Sequence, residues 1–101
     1  MIQQGDCLLV KLNSLPEGKL KIINKGRCIL AEGEHTGHAH IVEDDEAELI
    51  AIGETMLLKL GNQTILTHQE HGPITLEPGI YQIGRVVEKD WLSGMVKPVV
   101  D

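Results

Sequence analysis

Met56-Leu57-Leu58-Lys59-Leu60-Gly61-Asn62-Gln63-Thr64-Ile65-Leu66-Thr67 is the stretch on which the fold class turns. Two apolar runs rich in strand-forming residues flank Gly61-Asn62. A glycine-asparagine pair supplies the positive φ of a tight hairpin turn, so the spacing predicts antiparallel pairing of 56–60 with 63–67. The same punctuation recurs outward in both directions, about every eight to twelve residues. Downstream, Pro73 to Leu76 makes a short strand, Pro78-Gly79 turns the chain, and Ile80 to Val87 forms a longer one. Its period of two puts Tyr81, Ile83 and Arg85 on one face and Ile80, Gln82 and Gly84 on the other. In the tail 88–101, Gly94 and Pro98 oppose a long helix, and Trp91 is expected to pin the segment to the body.

Upstream, Leu49 to Ile52 precedes Gly53-Glu54-Thr55. His38 to Val42 leads into Glu43-Asp44-Asp45-Glu46, a charge run that reads as a solvated turn joining two strands. It lacks the alternating oxygen ligands and central glycine of a helix-loop-helix calcium site. Leu20 to Ile23, closed by Asn24-Lys25-Gly26, and Arg27 to Ala31 are two more strands. Asp6 to Leu12 opens through Gly5-Asp6 and stops at Leu15-Pro16-Glu17-Gly18, where proline removes a donor and glycine admits positive φ. No stretch keeps a clean helical period. About eight or nine short strands imply an all-β chain, a small antiparallel barrel or jelly-roll sandwich, with residues 1–101 as one domain.

Composition agrees. Of 101 residues, 42% are hydrophobic and only 2% aromatic, namely Tyr81 and Trp91. The core must therefore be Ile, Leu and Val, which suits strands. Cys7 and Cys28 lie outside any Cys-x-x-Cys pattern and read as two buried thiols. A net charge of −6 argues against sequence-independent nucleic-acid binding and against anionic membranes. No run approaches the roughly 20 apolar residues of a membrane helix, and Met1-Ile2-Gln3-Gln4-Gly5-Asp6 is unlike a secretion signal, so a cytoplasmic, soluble protein is expected. Small barrels often pair through an edge strand, which makes a homodimer an expectation too.

All five histidines fall in two clusters, His35-Thr36-Gly37-His38-Ala39-His40 and His68-Gln69-Glu70-His71. In an extended strand His38 and His40 project side by side while Ala39 turns to the other face. Gly37 permits a bend that brings His35 back or leaves it in solvent. His68 and His71 both face such a site only if the chain bends between them, and one of the two is expected to be the third protein ligand. Three imidazoles with one open position suit a divalent transition metal, Zn²⁺, Fe²⁺, Mn²⁺ or Ni²⁺. His35, His38, His40, His68 and His71 are the candidate ligands, and Glu34 and Glu70 the carboxylates placed to move protons. Glu43 and Glu46 are further candidates for a fourth ligand or an orienting partner.

Other readings stand beside this one. The histidines are ordinary surface residues, or a proton-sensing cluster without metal. They line a surface for a protein, peptide or small-molecule ligand and need no ion. Two imidazoles acting as acid and base on a phosphoester is the remaining case, for which no basic patch is evident. Neither a glycine-rich nucleotide loop nor a Gly-x-Ser-x-Gly elbow is present.

The first cluster resembles the first motif of the cupin superfamily. His38-Ala39-His40 matches its histidine pair, and Glu46 is followed after six residues by Gly53. Gly33 stands one residue nearer the pair than the family pattern has it, and Glu46 one residue farther. Gly72 and Pro78-Gly79 are similar to the start of the second motif, with Ile80-Tyr81-Gln82-Ile83 where its histidine falls. The resemblance implies a jelly-roll barrel with a metal near its mouth, held by His38 and His40, with Glu46 a candidate ligand beside them. Gly33-Glu34-His35-Thr36-Gly37-His38-Ala39-His40 and His68-Gln69-Glu70-His71-Gly72-Pro73-Ile74-Thr75-Leu76-Glu77-Pro78-Gly79-Ile80-Tyr81 are also similar to a group of short bacterial and phage proteins that carries no named activity.

Overall fold

The computed structural model describes residues 1–33 and 37–85, and the backbone of 88–90 and 95–97. In chain order the strands are β1 (Ile2–Gln4), β2 (Cys7–Leu12), β3 (Leu20–Glu32), β4 (Ala39–Ile52), β5 (Thr55–Leu60), β6 (Thr64–Thr67), β7 (Ile74–Leu76), β8 (Gly79–Arg85), β9 (Glu88–Asp90) and β10 (Met95–Lys97). The first eight form one antiparallel sheet that curls into a nearly closed barrel, and β9 pairs β10 separately. The all-β expectation holds. The expectation for Trp91 falls outside the described residues.

Where four short strands are expected between Leu20 and Ile52, two long ones form. Asn24-Lys25-Gly26 does not end a strand. It is absorbed into β3 by register shifts between Ile22 and Asn24 and between Lys25 and Arg27. Gly26 takes a φ of 93°, and the Asn24 side-chain amide donates to the Arg27 carbonyl, so the irregular stretch keeps its polar groups occupied. The acidic run is not a turn either. Glu43 to Glu46 lie inside β4, and Glu43 sits opposite Arg27 with a 3.5 Å ion pair. A strand accommodates such a run when the charges reach solvent and Ala47 supplies the buried position.

Gly61-Asn62 is not a hairpin turn. β5 pairs with Glu48 to Ile52 and β6 with Ile41 and Val42, so the two strands follow one another along β4 rather than pairing together. β8 and β7 repeat the arrangement on the far side of β5 and β6. Neither Gly61 nor Asn62 has a positive φ. A side chain at Gly61 would instead crowd Glu46, 3.3 Å from its Cβ. The Asn62 amide donates to Asp44 Oδ1 (3.3 Å) and tacks this kink to β4. The tight turns are Gly53-Glu54, between Ile52 and Thr55, and Gly5-Asp6, between Gln4 and Cys7. In both, glycine takes the first position with φ near 60° (61° and 57°), as in a type II′ hairpin.

The barrel interior packs Leu9, Cys28, Val42, Leu49, Leu58, Leu66, Leu76 and Tyr81. Tyr81 keeps its hydroxyl satisfied by donating to the Glu77 carbonyl at 2.6 Å. On the opposite face of β4 and β5, Ile50, Ile52 and Leu57 meet Leu12 and Leu15 in a second, smaller cluster. Cys7 and Cys28 are both buried free thiols, as expected.

Side chains rather than a strand ladder draw the sheet together at one end. Gln4 Nε2 donates to the carbonyls of Leu66 and Gly72, both at 2.9 Å. Arg85 Nη2 donates to the Glu32 carbonyl at 3.0 Å. These contacts tie β1 and β8 to the ends of β6 and β3. Among the described residues no helix is long and apolar enough to cross a membrane.

Candidate functional site

The seam is where the histidines meet. His38 precedes β4, whose pleat carries His40 on the same side, and Gly37 (φ 71°) and the Gly33 N–H to His38 carbonyl bond (2.8 Å) shape the approach. Ala39 between them is buried, and its N–H donates to Gln69 Oε1 at 2.9 Å. That bond holds the second cluster against the first. His68 follows β6, and the bend at Gln69-Glu70 returns His71 to the same side. The ring centroids of His40 and His68 lie 4.2 Å apart, His68 and His71 4.7 Å, His38 and His68 5.6 Å, and His40 and His71 6.1 Å. Four of the five histidines therefore converge. His35 and Glu34 lie outside the described residues.

Burial grades across the group. His40 is 3% exposed, His38 and His68 are half-buried, and His71 is exposed. Glu70 is exposed with Oε1 3.5 Å from His38 Nδ1, so this candidate carboxylate stands at the site's edge. Glu46 and Glu43 stand elsewhere along β4, at the Gly61 kink and opposite Arg27. Among the described residues no cavity opens at the cluster, and no three His, Cys, Asp or Glu side chains are arranged to hold an ion as they stand.

Two residues that the sequence did not single out as site residues complete the group. Gln4, buried in β1, accepts from His40 Nδ1 at 2.8 Å. Asp6, in the Gly5-Asp6 turn, has Oδ1 3.3 Å from His40 Nε2 and Oδ2 3.9 Å from Arg85 Nη1. Gly5 makes room for both rings: a Cβ there would stand 2.6 Å from His71 Nε2 and 3.3 Å from His40 Cε1. No spacing signal links residues 4–6 to residue 40, because the contact exists only once the sheet has curled.

The hydrogen bonds fix which ring nitrogens carry protons. Gln4 spends its amide N–H groups on two carbonyls, so its oxygen faces His40, whose Nδ1 must be the donor. In the neutral ring His40 Nε2 then carries the lone pair, and in the doubly protonated ring it donates to Asp6 Oδ1. Burial, and next the neighbouring His68, lower the His40 pKa below its ordinary value, against the opposing pull of Asp6. His68 is the reverse case. Its Nδ1 accepts the Glu70 N–H at 3.0 Å, so Nε2 bears the proton in the neutral ring.

Fold and site together define an antiparallel β-barrel that closes over a histidine-carboxylate cluster. The family model described as Domain of unknown function (DUF8820) matches residues 3–86, and the chain belongs to that family. No curated protein and no solved structure matches it.

Proposed function

We propose that this barrel is a metal-binding protein whose two histidine clusters hold one divalent transition ion, Zn²⁺, Fe²⁺, Mn²⁺ or Ni²⁺. The observation that carries the proposal is the gathering of His38, His40, His68 and His71 at one end of the molecule from stretches about thirty residues apart. Imidazoles repel when protonated and gain little from stacking when neutral, so an ion is the natural reason to collect four. His40 also donates its second ring nitrogen to a side-chain carbonyl, the outer contact that orients metal-bound histidines. Among the described residues the donor atoms do not surround a common centre, so binding an ion moves side chains at this surface. An ion bound by three protein donors keeps a position for water or substrate and lowers the pKa of bound water toward neutrality. Glu70 is the described candidate to take a proton there, and hydrolytic, isomerase or oxygenase chemistry is compatible with such a centre.

Untagged protein is the material for the test. Reconstitution with Zn²⁺, Mn²⁺, Fe²⁺ and Ni²⁺ followed by elemental analysis should give about one equivalent of at least one ion, and the ion should raise Tm by mass action. Less than about a tenth of an equivalent for all four rejects the proposal. The second reading, a binding face that needs no ion, is favoured by the lack of a cavity among the described residues and by the carboxylates already beside His38 and His40. It predicts that chelators and added ions leave Tm unchanged, and that His38→Ala/His40→Ala does not alter this.

A further inference from the structure

We infer that the outer edge of β3, from Leu20 to Lys25, is a docking site for an acidic, extended peptide segment of another protein. The segment adds a strand beside β3, setting aliphatic side chains against Leu20 and Ile22 and carboxylates against Lys19, Lys21 and Lys25. The site is separate from the histidine cluster, and the inference does not depend on the metal reading.

The edge is the starting point. Among the described residues β3 pairs only with β4, so its other side carries no strand. Amides and carbonyls along such an edge are a template for a further strand. Residues 20–25 are all exposed, whereas Cys28 and Ala31 farther along β3 are buried. Leu20 is 42% exposed, Ile22 53% and Ile23 46%. Leu20 lies opposite Ile52 and Ile22 opposite Ile50, and residues directly opposite share a face of the sheet. That face carries the smaller apolar cluster, Ile50, Ile52 and Leu57 with Leu12 and Leu15. The cluster runs out at β3 in two open aliphatic side chains. An added strand with apolar residues on this face continues it.

Charge names the occupant. Residues 18–31 hold four of the chain's nine lysines and arginines and no carboxylate, in a chain with 15 carboxylates and a net charge of −6. Arg27 is taken by Glu43. Lys25 stands opposite Glu48, but so does Lys59 on the other side, so one carboxylate lies between two lysines. Among the described residues Lys19, Lys21 and Lys25 make no ion pair. Lys21, opposite Ala51, belongs to the face away from Leu20 and Ile22. A strand that alternates aliphatic and acidic residues therefore matches both faces at once. A second copy does not. The antiparallel register that sets Leu20 against Ile22 sets Lys21 against its own equivalent, and like charges directly opposite destabilise a sheet. The register shift after Ile22 also breaks the edge into short lengths, which suits a short segment better than a long self-pairing strand. Residues 18–31 contain no aromatic side chain on which bases stack, and the acidic remainder of the chain repels a nucleic acid.

The probe is a fluorescein-labelled peptide of Val-Glu repeats, titrated into the full chain by anisotropy and followed by hydrogen–deuterium exchange. It should bind saturably with a Kd below about 1 mM, more weakly as salt is raised, and slow amide exchange in residues 20–25 more than in residues 68–71. Lys21→Glu and Ile22→Asp should each weaken binding at least about fivefold, while Ile65→Asp, at an exposed aliphatic position on β6, changes it less than about twofold. Circular dichroism checks that each variant folds. If Ile22→Asp does not, Ile22→Thr keeps the strand-forming shape and should weaken binding in the same direction. Val-Lys repeats should not bind, and Ser-Glu repeats should bind at least about fivefold more weakly than Val-Glu repeats. No saturable binding, equal binding of Ser-Glu repeats, or protection confined to other segments overturns the inference. Tighter binding of single-stranded oligothymidylate or of phosphatidylserine vesicles at this edge overturns it too. So does a dimer in sedimentation whose residues 20–25 are already protected without peptide, because a second copy then holds the edge.

Discussion

At Gly5 two demands fall on one residue. The backbone needs a φ of 57°, and the His71 ring occupies the space a Cβ would take. Gly5→Ala should lose about 1–2 kcal/mol from the left-handed backbone alone, with more from the displaced imidazole. Urea denaturation measures the total. Gln4 is the complementary case, since one buried amide serves three partners. Gln4→Leu keeps the volume and leaves two carbonyls and an imidazole N–H without it. A loss of about 2–4 kcal/mol is expected in the same measurement. The sequence disclosed part of this. His38 and His40 were legible because a period of two is a local property of an extended chain, and the bend between His68 and His71 was legible as the condition for both to face the site. Gln4 and Asp6 were not, because nothing local marks a residue whose partner lies more than thirty positions away. A glutamine and an aspartate beside a glycine read equally well as turn chemistry.

Strand existence was easier to read than strand extent. Most expected strands are present, and the errors fall at Asn24-Lys25-Gly26, the acidic run and Gly61-Asn62, where turn-forming residues are spent on bulges and kinks. In each case the partner decides: Arg27 faces Glu43, and Asp44 receives the Asn62 amide, so residues that favour turns are held in long bent strands. The two glycine sites can be told apart by mutation. Gly53→Ala forces a side chain into a φ of 61° and should cost about 1–2 kcal/mol. Asn62→Ala removes one exposed hydrogen bond and should cost about 0.5–1 kcal/mol. Equal losses in paired denaturant melts would mean that Asn62 matters to the fold as much as a true turn.

Across the whole molecule, an aliphatic interior was predictable from the near-absence of aromatic residues, and Leu58 and Leu66 at its centre are completely buried. Leu58→Ala should cost about 2–5 kcal/mol in thermal or chemical melts. The same interior governs behaviour at alkaline pH. Burial, then Asp6, raises the Cys7 thiol from 9.0 to about 11, and burial also raises Cys28 and Tyr81. Below about pH 9 the Cys7 thiol keeps its proton folded or unfolded. Above it the unfolded chain loses that proton first, so Cys7's share of stability is present below pH 9 and is lost as pH rises through 11. Denaturation midpoints should fall over this window, and Cys7→Ala should flatten the decline; a midpoint constant to pH 11 would contradict it. How the barrel closes was beyond the sequence, since closure depends on contacts that no periodicity encodes.

That closure has a dynamic consequence. Between β5 and β8 the backbone is laced by successive amide–carbonyl bonds, whereas β1 meets the end of β6 through one glutamine side chain. Breathing of the native barrel should therefore begin there, with amides of residues 2–4 exchanging deuterium sooner than those of residues 57–60. A small molecule or ion that bridges the two lips would slow exchange at those N-terminal amides first, so they act as an internal gauge of occupancy without any assay of activity.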